Sequence, residues 1–150
     1  MEKKLHPYDI EINTLGFFVD RLLYAMIKSQ NEDLKANNLD IQHAEFIVMK
    51  VINVLGEASQ SQLANVMGKE RSGISRTLAS LEKKGYVERK PVNGSTNSVT
   101  LTEKGKNLIP MILRQSERLT ERTLKGFSPK KKEKFLAYLE QAYHNVKSND

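Results

Sequence analysis

A mainly α-helical fold with a minor β component is predicted by three observations. Helical apolar spacing recurs in six stretches of the chain. A short helix signal at 59–68 is followed at once by an Arg- and Ser-rich one at 70–84. Two strand-like runs, 86–90 and 98–101, then flank a polar tip that contains Asn93-Gly94, a strong hairpin signal. Helix, turn, helix and hairpin in this order spell a winged helix-turn-helix. The helices at the two ends of the chain are left over as a dimerisation region.

Each element has its own signals. The first helix is expected over 12–36, with Leu15, Phe18, Leu22, Tyr24, Ala25, Ile27 and Leu34 as its apolar positions and Asn37-Asn38 as its stop. A helix of this length beside so small a body needs a second surface to cover it. Asp40 is the expected N-cap of the second helix, over 41–55, whose stripe is Ile41, Ala44, Val48, Val51 and Leu55, widened by Phe46 and Ile47. Ser59 and Gln62 have the spacing of a capping box, opening a third helix that buries Leu63, Ala64 and Met67 and stops at Gly68. Ile74, Leu78 and Leu81 form a narrow seam on the fourth helix, and Gly85 sits where a left-handed residue ends it. After the hairpin, Thr102 caps a fifth helix over 103–125. Pro110 inside it should kink the helix or shift its start. Ser128-Pro129 opens a last helix with the stripe Phe135, Leu136, Leu139, Tyr143 and Val146. The expected division is a helical dimerisation region, 1–36 plus 103–150, around a winged helix-turn-helix lobe, 37–102.

Composition bounds the function. The 150 residues suit one domain with an oligomerisation element, and 39% hydrophobic content with a mean hydropathy of -0.53 leaves long helices in need of a partner. The net charge of +6 and pI near 9.5 favour a polyanionic partner. The absence of cysteine excludes disulfides, thiol redox switching and Cys-based zinc sites. The first residues contain no apolar h-region and the longest apolar run is short, so neither a secretory leader nor a membrane span is expected, and the reading is a cytoplasmic protein.

The charge is concentrated. Between Lys69 and Lys90 stand seven basic and three acidic residues, a net +4. With the apolar seam turned inward, Arg71, Ser72, Ser75, Arg76 and Ala79 of the fourth helix lie outward or on its flank. Arg offers bidentate hydrogen bonds to guanine and Ser reaches a base or a phosphate. Gly73 lets the helix approach a duplex closely, at a cost of about 1 kcal/mol of helix stability relative to Ala. The expected DNA contacts are therefore Ser61, Gln62, Lys69, Arg71, Ser72, Gly73, Ser75, Arg76 and Thr77, with Arg89, Lys90 and Asn93 on the wing.

These residues carry a resemblance. The segment Ser59-Gln60-Ser61-Gln62-Leu63-Ala64, the run from Arg71 to Leu78, the run from Leu81 to Arg89, and Leu101-Thr102-Glu103-Lys104-Gly105 together resemble the MarR family of winged-helix transcriptional regulators. The run from Asp40 to Phe46 is similar to that family's second helix. The resemblance implies a homodimer with interlocked terminal helices, recognition helices in successive major grooves of a pseudo-palindrome, and wings at the minor grooves. It also implies repression relieved by a small anionic or aromatic compound bound between the dimer region and the DNA-binding lobe, for which Phe17, Tyr24 and His43 are candidate lining residues. The family's wing commonly carries an Asp-x-Arg element; here the tip is the uncharged Asn93-Gly94-Ser95-Thr96-Asn97, which leaves Arg89 and Lys90 at its base to meet phosphates.

No other chemistry competes. His6, His43 and His144 are dispersed, with no metal-ligand spacing, and no phosphate loop or nucleophile elbow occurs. No cofactor, no metal and no enzymatic activity are expected. Lys130-Lys131-Lys132 reads as a solvated cluster, and the aromatics Tyr8, Phe17, Phe18 and Tyr24 as core or dimer packing. The alternative to a DNA-binding regulator is a winged-helix module used only for protein–protein contact.

Overall fold

The structure, a computed structural model, describes residues 14–94 and 96–147. Its elements are α1 (Leu15–Ala36), α2 (His43–Leu55), β1 (Glu57–Ser59), α3 (Gln60–Met67), α4 (Arg71–Lys83), β2 (Val87–Asn93), β3 (Thr96–Leu101), α5 (Glu103–Thr123) and α6 (Pro129–Lys147). The mainly helical fold with a small sheet is as the sequence predicts. The chain divides into two compact units, Met1–Ser116 and Glu117–Asp150.

The first unit holds the core. Phe46, Met49 and Ile52 of α2, Leu63 of α3, Leu78 and Leu81 of α4 and Ile112 of α5 are fully buried in one cluster with Leu34, Val87 and Val99. Each such side chain contributes roughly 1.5–3 kcal/mol by leaving water. The sheet has the order β1-β3-β2 and is antiparallel throughout. The sequence reading has no counterpart to β1, because three residues carry no periodicity. It exists through pairing: Glu57, Ala58 and Ser59 oppose Thr100, Val99 and Ser98. The hairpin strands also reach further than expected. β2 runs on through Pro91, which lacks a donor but sits in an edge strand beside a register shift between Pro91 and Asn93.

Local signals explain most boundaries. The Thr14 hydroxyl accepts from the Phe17 N–H at the start of α1; the expected first turn at 12–13 lies outside the described residues. Ser59 and Gln62 form the expected capping box, with bonds of 3.1 and 2.8 Å. Gly85 has φ of 77° and closes α4 through a Schellman pair, Tyr86 N–H to Leu81 C=O and Gly85 N–H to Glu82 C=O, both 2.9 Å. Thr102 caps α5 as expected, accepting from the Gly105 N–H at 3.1 Å.

Two expectations are corrected. The N-cap of α2 is Gln42, not Asp40: Gln42 and Glu45 form a reciprocal capping box, and Glu45 is buried where it can do so. The buried face of α2 is also rotated. Phe46, Val48, Met49 and Ile52 face the core, whereas Ala44 and Leu55 are exposed. α5 runs from Glu103 to Thr123 with Pro110 inside it, so the proline does not shift the start of the helix.

Two helices leave apolar surface uncovered. In the first unit, α1 exposes Leu15, Val19, Leu22, Leu23 and Tyr24. In the second, α6 buries none of its residues, and Leu136, Leu139, Tyr143 and Val146 of its expected stripe stand open. Within that unit Phe127 and Phe135 meet edge to face, 5.8 Å apart.

Candidate nucleic-acid interface

The seam of α4 decides what the helix presents. Ile74, Leu78 and Leu81 are 2%, 0% and 0% exposed, so the opposite side of the helix faces water. On it, Ser72 and Arg76 are exposed, and Gly73, Ser75 and Thr77 lie half-buried on the flank. Arg71, the first residue of α4 and three before Ile74, is exposed at the N-terminal end of the helix. Neither Arg71 nor Arg76 pairs with a carboxylate among the described residues. Thr77 differs from its neighbours: its hydroxyl donates to the Gly73 carbonyl at 3.0 Å, one turn back on its own helix.

The preceding helix frames this face. Ser61, Gln62 and Lys69 are exposed around the turn between α3 and α4. Gln62 is partly committed, since its amide oxygen caps α3. Gln60, which the sequence reading passed over, donates from Nε2 to the Arg71 carbonyl at 3.0 Å and ties the first residues of the two helices together. A lone Gln in a first turn gives no sequence signal for such a bond.

The wing base is less cationic than its sequence. Arg89 holds Glu82 through Nε at 3.1 Å and Nη2 at 2.8 Å, both to the same carboxylate oxygen. Lys90 lies 3.1 Å from Glu88. Each basic residue expected to meet phosphate thus already has an acidic neighbour. Asn93 is exposed at the end of β2.

A cleft of about 700 Å³ opens behind α4, lined by α1, α2, the α3–α4 turn and the inner flank of α4. Leu23, Ile27, Ile47 and Val51 make its apolar wall, and His43, Lys69, Ser72 and Arg76 its polar edge. The His43 ring contacts the amide oxygen of buried Gln30, and the His43 backbone N–H donates to Asn31 Oδ1 at 3.0 Å. Burial, and then the charge of Lys69, lower the His43 pKa, so the ring is neutral at neutral pH. Phe17 and Tyr24 do not line this cleft. Phe17 packs edge to face on Phe18 with Arg21 over its ring, and Tyr24 is 70% exposed. His6 and Tyr8 fall outside the described residues.

Among the described residues no cluster of His, Asp or Glu could hold a metal ion, and no helix is long and apolar enough to cross a membrane.

Comparison with known proteins agrees with this geometry. Residues 39–95 match the model of the MarR family. The chain is 27% identical over 116 residues to the HTH-type transcriptional regulator YybA of Bacillus subtilis, covering 76% of this chain and 77% of that protein. The structure of the transcriptional regulator SlyA superposes with a TM-score of 0.84 at 20% identity, covering 91% and 96% of the two chains. A MarR family regulator from Listeria monocytogenes in complex with a 26mer DNA gives 0.81 at 24% identity, covering 91% of each. At such identities the two structures speak to the fold.

Proposed function

We propose that this chain, which belongs to the MarR family of winged-helix transcriptional regulators, is a repressor that binds a pseudo-palindromic duplex as a homodimer. The family is one of DNA-binding regulators and not of enzymes. The observation that carries the reading is the pair Arg71 and Arg76, exposed on the first turns of α4 and without an acidic partner among the described residues. Exposed guanidinium groups in the first turns of a helix that is apolar on its inner side suit a major groove. The Listeria relative was crystallised with DNA.

The homodimer is supported by the uncovered apolar side chains of α1 and α6, a combination that water disfavours and a two-fold copy removes. Release by a small molecule is supported by the cleft behind α4, whose apolar wall and Lys69, Arg76 and His43 edge suit an anionic aromatic or aliphatic compound. The cell compartment in this reading is the cytoplasm.

The test is selection of a preferred duplex from a random pool, followed by gel shift and sedimentation. Arg71→Ala and Arg76→Ala are each expected to weaken the specific shift, by about 1–3 kcal/mol, while sedimenting as the wild type does. Unchanged binding by both variants refutes the assignment of the reading residues, and a dilution-stable monomer refutes the dimer. A shift that is insensitive to salt would favour the protein-contact module instead, because neutralised phosphates make affinity fall steeply with salt.

A further inference from the structure

Polar groups hold α4 at several points. At its start the Gln60 bond to the Arg71 carbonyl is exposed and neutral, and in its last turn Glu82 is held by Arg89 of β2. A further hold is buried and charged. Glu45, in the first turn of α2 and only 5% exposed, accepts from the Ser80 hydroxyl at 2.6 Å, from Lys84 Nζ at 2.8 Å and from the Gln42 N–H at 2.8 Å. Lys84 also lies 3.7 Å from Asp40. One carboxylate therefore closes the start of α2 and grips the last turns of α4 at once.

The rest of the contact between these helices is apolar: Ile74, Leu78 and Leu81 against Phe46, Met49 and Ile52. Apolar burial is non-directional and tolerates small rotations. Charge-assisted hydrogen bonds do not. The distance along the helix from Ser80 to Arg71 is nine residues, roughly 14 Å at about 1.5 Å per residue. A helix loosened by about 10° at the gripped end would swing Arg71 by roughly 2 Å, more than the ~0.5 Å tolerance of a built site.

We infer that Glu45 is a positioning residue for DNA reading: it fixes the angle at which α4 presents Arg71 and Arg76. This rests on the reading of α4 as the recognition helix, and adds to it a residue that touches no DNA. The burial that would otherwise disfavour a carboxylate is overcome by Lys84, Ser80 and the Gln42 N–H, which together hold Glu45 ionised.

The test uses Glu45→Gln in the full chain. The amide keeps the shape and an acceptor for the Gln42 N–H. It also makes the protein one unit more positive, which by itself tightens binding to any duplex. The duplex selected by the wild type is expected to bind at least tenfold more weakly, while a mixed-sequence duplex binds as well as before or better. Loss of both in parallel, or loss of neither, overturns the proposal. Ser80→Ala, a milder change, is expected to lower the ratio of selective to mixed-sequence binding about threefold without moving the thermal midpoint by more than a few degrees; an unchanged ratio counts against the clamp. Backbone amide exchange on the protein without DNA separates the two readings. Faster exchange in α4 of Glu45→Gln, with α3 unchanged, supports the clamp even if the wild type selects no duplex. Unchanged exchange in α4 refutes it.

Discussion

The α-carbon of Gly105 is seated against the carbonyl of Tyr86, so close that no β-carbon fits between them. The contact is the knot between the wing and α5. The Tyr86 carbonyl accepts from the Thr102 N–H at 3.1 Å, and the Thr102 hydroxyl donates to the Gly85 carbonyl at 2.6 Å. Gly105→Ala must push a backbone segment that these two bonds hold against α5. It is expected to destabilise the chain by about 1–3 kcal/mol, in the range of overpacked cores. A urea titration measures this, and a midpoint equal to that of the wild type would contradict the packing.

Gly73 is the opposite case. It lies inside α4 at ordinary helical angles, and a β-carbon there would meet nothing within 4 Å. Nothing in the fold requires glycine. Gly73→Ala should therefore stabilise the protein by about 0.5–1 kcal/mol. If the bare α-carbon serves close approach of a duplex, the same variant binds DNA more weakly. A more stable variant with undiminished DNA affinity would remove Gly73 from the interface.

The arginines of α4 and of the wing should behave differently. Arg71→Ala is expected to cost about 1–3 kcal/mol with the preferred duplex and to relax the choice at one base pair. Arg89→Ala removes a side chain already held by Glu82, so it should cost less than Arg71→Ala in binding. Fluorescence anisotropy on the two variants with one labelled duplex decides this; equal losses would mean that Arg89 leaves Glu82 when DNA binds.

Acid should act through His43. Its folded pKa lies below the ordinary value of 6.5, first through burial and then through Lys69. The unfolded chain therefore takes up its proton first as pH falls. The stability tied to the neutral ring is complete above about pH 6.5 and is lost progressively below it, down through the folded pKa. Thermal midpoints between pH 7.5 and 5.5 should drop less in His43→Asn than in the wild type. Parallel curves would exclude His43 as the source.

Much of this was legible because it is local. The Ser59–Gln62 box, the seam Ile74–Leu78–Leu81 and the stop at Gly85 each need only a few neighbouring residues, and the structure has all three. The exposure of Arg76 follows from that seam, and that of Arg71 from its place at the first position of α4. What escaped is tertiary. Asp40 is a better intrinsic cap than Gln42, yet Glu45 has Ser80 and Lys84 to bond, and those partners lie 35 and 39 residues away. The Glu82–Arg89 pair crosses from a helix to a strand around Gly85. Phe17 and Tyr24 have aromatic character in the right part of the chain, but which side of α1 meets the cleft is set by packing, and Leu23 and Ile27 hold that place.

Ser59 belongs to two structures at once. Its side chain caps α3, and its backbone is the last rung of β1 opposite Ser98 of the wing. The hinge that a helix-turn-helix and a hairpin would otherwise share is thereby stitched shut. A push on α3 is felt by β3 within a single residue. The helix-turn-helix and the base of the hairpin are thereby coupled at one residue.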